Sequence, residues 1–534
     1  MSTWAQALPD IFGECCAILR IGTDRCLSSA CGSTREPTNP SATQRRSPRA
    51  ARIARSPIDA SGYGGTAGHR TVSAQLLFCS GRFLLFTSIA QILDWLAERG
   101  RSNEYWVKQV PLDQLDGWQV EGDTGNLVHR SGRFYTIKGL DVSGAHREIS
   151  CWQQPIIEQP EHGILGILVK EFDGETYCLL QAKMEPGNVN MLQLSPTVQA
   201  TKSNYTGAHG GKSVPYLEYF ISPRRGRVVF DALQSEQGAW FLAKRNRNMV
   251  VQVTDDVPVF EDFCWINIDQ IGELLQIDNL INMDTRTVLS GAVSLRPAGD
   301  GSLERDPFRD AMTPPRGSRH RSLHSVPELL SWFTEVKARS TMSRRRVPLS
   351  EVSGWSHSDG VISHVDGKHF TVVGLEVEAS NREVAGWSQP MIAPRGQGVV
   401  AFLAKRIKGT LHLLVQARME AGAFDVMEMA PTVQCIPENY NRRSTTAGSP
   451  LFVEEVLNAP ATRIRFDSVH SEEGGRFYHA QNRYLLIELE DDFPTDVSDD
   501  FVWMTPRQLI GFVRYGNYLN VEARNLVACL GFLR

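Results

Sequence analysis

No stretch of this sequence approaches the roughly 20 apolar residues that a membrane-spanning helix needs. No charge of one sign dominates. Lys and Arg number 56 against 60 Asp and Glu, leaving −4, which argues against a broad basic surface for nucleic acid. The ten cysteines include no Cys-x-x-Cys pair. Four (Cys15, Cys16, Cys26, Cys31) lie near the start and six (Cys79, Cys151, Cys178, Cys264, Cys435, Cys529) are scattered, which excludes a zinc framework or a disulfide scaffold. The pattern of a secretory signal is also missing. We therefore expect a cytoplasmic protein with reduced thiols. No G-x-G-x-x-G or G-x-x-x-x-G-K-[ST] loop occurs, so neither dinucleotide nor ATP machinery is implied.

What is present is a globular composition, 42% hydrophobic and 22% charged over 534 residues, too long for one ordinary core. Residues 1–82 read differently from the rest. Arg45, Arg46, Arg49, Arg52 and Arg55 crowd a Ser/Ala-rich stretch with no packable face, so a disordered or mis-started segment is expected. Pro297, Gly299, Gly301, Pro307, Pro314, Pro315 and Gly317 mark 291–323 as a linker.

The chain matches itself at an offset of 235–238 residues. A helical face of Ile89, Ile92, Leu93 and Leu96 matches Val326, Leu329, Leu330 and Phe333, and Ser325 with Glu328 forms a capping-box pattern. "VPLDQLDGW" pairs with "VPLSEVSGW", "REISCWQQPII" with "REVAGWSQPMI", and "LLQAKMEPG" with "LLVQARMEAG". "LSPTVQATKSNY" pairs with "MAPTVQCIPENY", and "FDALQSEQGAWFLAKRNR" with "FDSVHSEEGGRFYHAQNR". "GILGILVK" and "TYCLLQAKM" read as central strands, and "NMVVQV" and "YLLIEL" as another pair. We expect an α+β tandem duplication on mixed sheets, with repeats at 83–290 and 324–534.

Shared apolar positions need only packing. Shared polar ones ask for more: Trp118/Trp355, Arg147/Arg382, Trp152/Trp387, Gln181/Gln416, Glu185/Glu420, Gln199/Gln434, Asn204/Asn439, Tyr205/Tyr440, Ser235/Ser471 and Glu236/Glu472. Some are structural on a bland reading; Arg147 beside Glu148 makes at most a weak surface ion pair. As a set they suit a nucleotide sugar: cations for a pyrophosphate, rings for a base, Asn, Gln and Glu for sugar hydroxyls. The halves also differ. Lys183, which can lose its proton when desolvated, is Arg418 in the second copy, and only the first copy has His209 with Gly210 and Gly211. The first half is the better candidate for the reactive pocket.

"EISCWQQPII", "LLQAKMEPGN", "QLSPTVQATKSNYTGAHGG" and "FDALQSEQGAWFLAKRNRNMVV" resemble the NDP-hexose 2,3-dehydratases of antibiotic deoxysugar pathways, over about residues 85–530. The resemblance implies a Nudix-like fold in each half, although the R-E-x-x-E-E run of a Nudix hydrolase is missing. It implies dTDP-4-keto-6-deoxyglucose as substrate, loss of the 2-hydroxyl as water, no cofactor or metal, a homodimer, and a downstream NADPH-dependent 3-ketoreductase. On it we expect Lys183, Glu185, Tyr205 and His209 around the reacting carbons. Trp118, Arg147, Trp152, Gln181, Thr201, Lys202, Ser203, Asn204, Tyr205 and Ser235 would hold nucleotide and sugar. Trp355, Arg382, Trp387, Arg418, Cys435, Ile436, Pro437, Glu438 and Asn439 would form the second pocket. A nucleotide-sugar hydrolase and a non-catalytic binding protein are the competing readings.

Overall fold

The computed structural model describes residues 85–144, 151–205, 213–222, 225–295, 322–380, 382, 384–440 and 450–532, with positions 308 and 311. The expected segment 1–82, most of 291–323, Arg147, His209 and the side chains of Ser203 and Asn204 lie outside the described residues.

Each half opens with the expected helix. Ile89–Ser102 is capped by Ser88, and Val326–Ala338 by the Ser325–Glu328 capping box. The first half then runs through β1 (Tyr105–Val110), β2 (Trp118–Val120), β3 (Leu127–His129), β4 (Thr136–Ser143), β5 (Cys151–Glu158), β6 (Ile164–Phe172), β7 (Glu175–Met184), β8 (Leu192–Pro196), β9 (Val198–Ala200), β10 (Arg227–Ser235), β11 (Arg245–Gln252) and β12 (Phe263–Asn267). The second half follows the same order with β13 (Ser343–Val347), β14 (Trp355–Ser358), β15 (Val361–His364), β16 (Phe370–Ala379), β17 (Gly386–Pro394), β18 (Gly398–Ile407), β19 (Thr410–Met419), β20 (Met427–Ala430), β21 (Val433–Cys435), β22 (Ile464–Ser471), β23 (Gln481–Glu488) and β24 (Phe501–Met504). The fold is mixed α+β, mostly antiparallel. One parallel pair, β6–β11 or β18–β23, lies inside each seven-stranded sheet.

Alternation decides where these sheets bury themselves. Leu165, Ile167 and Val169 of β6 join Val400, Phe402 and Ala404 of β18 in one core. Val288, Leu289, Leu526 and Val527 fill it from the helices Met283–Ser290 and Val521–Gly531, which pack on each other. The opposite faces form separate outer cores, Ile164 and Leu168 with Trp265, and Val399 and Leu403 with Trp503. Each of the Val, Leu, Ile and Phe side chains among these contributes about 1.5–3 kcal/mol by leaving water.

The halves also trade strands. β1 of the first half lies antiparallel to β16 of the second, from Tyr105 opposite Ala379 to Val110 opposite Gly374. β13 of the second returns the exchange by pairing with β4. Two buried arginines repeat the crossing. Arg286 donates to the Ser471 carbonyl at 2.7 Å, and Arg524 donates to the Ser235 carbonyl and to Thr287 Oγ1 at 2.9 Å.

The shared glycines of "MEPG" and "SEEGG" belong to the same system. Gly187 N donates to Gly474 O at 2.8 Å, and His479 N to Gly187 O at 2.8 Å. Gly422 makes the mirror contact with Gly238 O at 2.7 Å. A Cβ on Gly187 would sit 1.8 Å from the Phe477 carbonyl oxygen, so backbone must move to admit it. Gly187→Ala is expected to lower stability by at least about 1–3 kcal/mol in denaturant or thermal unfolding. Gly122→Ala, with nothing within 4 Å, should stay within about 0.5 kcal/mol of the parent. Equal midpoints for the two variants would contradict this close approach.

Candidate active site

Two cavities of matching position lie in the two halves, about 420 Å³ and about 410 Å³. Neither is built by one half. In the first, Trp118, Lys183, Glu185, Gln199 and Thr201 meet Arg382, Trp387, Gln389, Glu473 and Arg476 of the second copy. In the second, Trp355, Arg418, Glu420, Gln434, Cys435, Ile436 and Asn439 meet Trp152, Gln154, Gln237 and Trp240 of the first copy.

Strand geometry delivers the first set. Lys183 near the end of β7 is buried, and its Nζ donates to the Gln199 carbonyl at 3.3 Å. Glu185 follows two residues on. Its Oε1 accepts from Gln199 Nε2 at 2.8 Å and its Oε2 from Asn282 Nδ2 at 3.5 Å. The second half reaches in along β17 and through the loop between β22 and β23. Arg382 Nη1 donates to the Met184 carbonyl at 2.8 Å, and its guanidinium lies 5.6 Å from the centre of the Trp387 ring. The glycine contact at Gly187 and Gly474 sets Glu473 and Arg476 beside Glu185. An aromatic wall of Trp118, His129, Phe134 and Tyr135 closes one side; Trp118 Nε1 donates to the Ser388 carbonyl at 2.7 Å.

The electrostatics of this cavity are unusual. Burial pushes the Glu473 carboxyl up to about 7; Arg476 opposes the shift and Glu185 adds to it. Burial likewise raises Glu236, behind the lining, to about 7 against the pull of Arg524. Burial lowers the Lys244 ammonium to about 8, with Glu236 opposing. Asp284, second residue of its helix, is held well above the usual aspartate range by burial and then by Glu473, Glu236 and Glu185. Its Oδ1 is buried without a hydrogen-bond partner. Groups titrating near neutrality beside an ionised partner are what acid–base chemistry requires.

The expected residues divide by cavity, not by half. Trp118, Lys183, Glu185 and Thr201 line the first cavity, but so do Arg382 and Trp387, which we had grouped with the second. Trp152, grouped with the first, lines the second, where its Nε1 donates to Gln154 Oε1 at 2.8 Å. The crossing has a physical cause: each small sheet bears a tryptophan on β2 or β14 toward one cavity and another on β5 or β17 toward the other. Trp355, Arg418, Cys435, Ile436 and Asn439 meet as expected, with Arg418 Nε donating to Glu420 Oε1 at 3.0 Å. Gln181, Lys202, Tyr205, Pro437 and Glu438 do not line either cavity. The Tyr205 hydroxyl donates instead to the His162 carbonyl at 3.4 Å. Ser235, at the end of β10, is buried but lines neither cavity; its Oγ donates to Glu428 Oε2 at 2.9 Å and its carbonyl accepts from Arg524.

Sequence reading missed Asp284, Glu473, Lys244 and Arg476. The signal lay in the differences between copies: Glu473, Arg476 and Lys244 stand where the other copy has Gln237, Trp240 and Ala480. Three charged residues of the first cavity, Glu473, Arg476 and Lys244, thus have uncharged residues at the matching positions, while Asp284 is matched by Glu522 in the second.

A family model described as NDP-hexose 2,3-dehydratase matches this chain twice, over residues 89–292 and 326–530. The chain is 51% identical over 447 residues to the dTDP-4-dehydro-6-deoxy-alpha-D-glucopyranose 2,3-dehydratase of Streptomyces violaceoruber, covering 83% of this chain and 97% of the relative. Proteins of the same description from Saccharopolyspora spinosa and Amycolatopsis orientalis are each 49% identical, over 88% and 82% of this chain and 95% and 88% of the relatives.

The buried acids give a pH signature. A carboxyl whose folded pKa is raised keeps its proton in the folded state after the unfolded chain has lost it. Its penalty therefore begins above the ordinary aspartate range, 3.8, and grows with pH up to the folded value. Asp284→Asn removes that penalty. The thermal midpoint of the variant minus that of the parent should rise from pH 5 to pH 8. A difference that stays flat or falls would contradict the assignment of a raised pKa.

Proposed function

The chain belongs to the NDP-hexose 2,3-dehydratase family and is a sugar-nucleotide hydro-lyase, and we propose that its substrate is dTDP-4-keto-6-deoxyglucose. The reaction removes the 2-hydroxyl as water and leaves a 3,4-diketo-2,6-dideoxy sugar nucleotide. The observation that carries this reading is the first cavity, where Lys183 and Glu185 stand among groups titrating near neutrality beside an aromatic wall and Arg382.

The 4-keto group acidifies the hydrogen on carbon 3, so a positioned base removes it. We assign that neighbourhood to Lys183 and Glu185. Gln199 and Asn282 hydrogen-bond Glu185 and fix the direction of its carboxylate. Cationic donors such as Lys183 would face the enolate oxygen as charge develops there. Trp118, Trp387, Thr201 and Arg382 suit base, sugar and pyrophosphate. Tyr205, turned toward His162, is left out of the set. Trp355, Arg418, Cys435, Ile436 and Asn439 suit a second, related ligand pocket.

Each half is read as Nudix-like, on the support of a mixed sheet with a parallel pair and buried helices on it. We extend the same reading to the setting: repeats at 83–290 and 324–534 joined by 291–323, a cytoplasmic homodimer, and an antibiotic deoxysugar pathway. No helix among the described residues is long and apolar enough to cross a membrane. A 3,4-diketo sugar nucleotide is prone to lose its nucleotide, so an NADPH-dependent 3-ketoreductase is the expected next enzyme.

Purified protein with substrate and EDTA should yield loss of one water by mass spectrometry. The product should be trapped as the 2,6-dideoxy sugar only when the reductase and NADPH are present. Intact substrate would overturn the reading in favour of a binding protein, and thymidine monophosphate released on adding Mg²⁺ would favour a hydrolase.

A further inference from the structure

The dehydration needs two proton movements. One group must take the hydrogen from carbon 3, and another must give a proton to the hydroxyl leaving carbon 2. The Lys183–Glu185 edge supplies the first. For the second, two acidic groups of the cavity stand out, Asp284 and Glu473. Asp284 has a counterpart in the other cavity: Glu522, at the matching place in its helix, also keeps a buried oxygen, Oε2, without a hydrogen-bond partner. Its condition follows from the helix position and is common to both cavities.

Glu473 is different. The matching residue of the first copy is Gln237, whose Nε2 is engaged with Glu472 at 2.7 Å. Glu473 has no side-chain hydrogen bond among the described residues, and it lines the cavity opposite Glu185. The Oε1 atoms of Glu473 and Glu185 lie 2.8 and 3.8 Å from the point a Cβ on Gly475 would occupy, so the two carboxylates flank one small space. The titratable and charged groups acting on Glu473 are Arg476 from its own loop, Glu185 and Lys183 at the end of β7, and Lys244 just before β11; Asp284 interacts with it from its helix, Glu236 from the end of β10 and Tyr135 from the aromatic wall. Burial, with Glu185 across that space adding to it, pushes the Glu473 carboxyl up to about 7. Glu185 itself is held in place by the amides of Gln199 and Asn282.

We propose that Glu473, brought into the first cavity by the second half, is the general acid that protonates the departing 2-hydroxyl. This rests on the dehydratase reading above. The base takes the carbon-3 proton, and the electron pair enters the 4-keto group as an enolate. The enolate then forms the carbon 2–carbon 3 double bond and breaks the carbon 2–oxygen bond. Glu473 gives its proton to that oxygen, and water leaves. In the tautomerisation the carbon-3 hydroxyl returns a proton to Glu473, and carbon 2 takes one from the protonated base. Both groups end as they began, and no oxidant or reductant is used.

The test uses the full chain with Glu473→Gln and Glu473→Asp. With Glu473→Gln, kcat for dehydration should fall by roughly 10²- to 10⁴-fold while KM moves by less than about threefold. In D₂O, the same variant should still exchange the carbon-3 hydrogen faster than an enzyme-free control, because the base is untouched. Glu473→Asp should recover part of kcat and keep the alkaline fall in kcat that an acid required in its protonated form produces, a fall Glu473→Gln should lack. Dehydration by Glu473→Gln within about threefold of the parent would overturn the proposal. So would loss of exchange together with dehydration in a variant that keeps its thermal midpoint, since that marks a base or a positioning residue. A parent protein that does not dehydrate at all would instead count against the functional reading.

Discussion

The exchange of β1 and β13 between the copies is the constraint on which the rest depends. A strand edge left without partners exposes a row of N–H and C=O groups. Here the edge of β16 is closed by β1 and the edge of β4 by β13, each from the other copy. Pulling the halves apart would open both edges and the shared core between β6 and β18. The arginines at 286 and 524 and the glycine contacts at 187 and 422 cross the same boundary. Separation of the copies would therefore dismantle both cavities, since each is lined by side chains from both copies.

That interlock also explains how so much charge is held in a small space. Glu185, Glu236, Asp284 and Glu473 crowd together with Lys183 and Lys244 close by. Burying ionised groups costs several kcal/mol each unless they are paired and hydrogen-bonded. The arrangement answers in two ways. Some groups are tied by fixed amides, as Glu185 is by Gln199 and Asn282. Others have their proton loss pushed up toward neutrality by burial, as Glu473 has, to about 7. A carboxylate fixed by amides beside a carboxyl whose pKa is raised gives the site two differently placed acidic groups, which elimination of water can use for its two proton movements.

The duplication, the two capped helices and the central strands were legible in the sequence because each rests on local pattern: Ser325 with Glu328, the runs at 163–170 and 176–184, and motifs repeated at one offset. Lys183, Glu185, Arg382, Trp387 and Arg418 stood out in the sequence because they recur or change conspicuously between copies, and they line the cavities, Arg382 and Trp387 the first and not the second. Which copy supplies which wall was not legible. β1 and β13 have the same alternation whichever β-sheet they join, and hydrophobic period carries no information on whose edge is used. Glu473 and Arg476 escaped for a second reason. They stand inside a shared motif at positions where the copies differ, opposite Gln237 and Trp240, and a lone difference inside a matched run carries no local pattern. Ser235 shows the converse, since it is shared by both copies yet serves the buried arginine and not a cavity.

Divergence after a duplication is usually pictured half by half, one copy keeping the chemistry while the other drifts. Interlocked halves do not permit that picture. The second copy contributes Arg382, Trp387, Glu473 and Arg476 to the first cavity, so it remains under the demands of that cavity even if its own has lost reactive groups. The first copy, in turn, holds Gln237 and Trp240 against the second cavity, where an amide and an indole replace an acid and a guanidinium. Differences thus sort by cavity: charged residues accumulate around one and neutral ones around the other, with both copies contributing to each. A chain in which one half alone were kept would retain Lys183 and Glu185 but no aromatic from β17, no arginine at 382 and no carboxyl at 473. The duplication is a condition of the site, because the first cavity is complete only when a second, differently specialised copy stands against it.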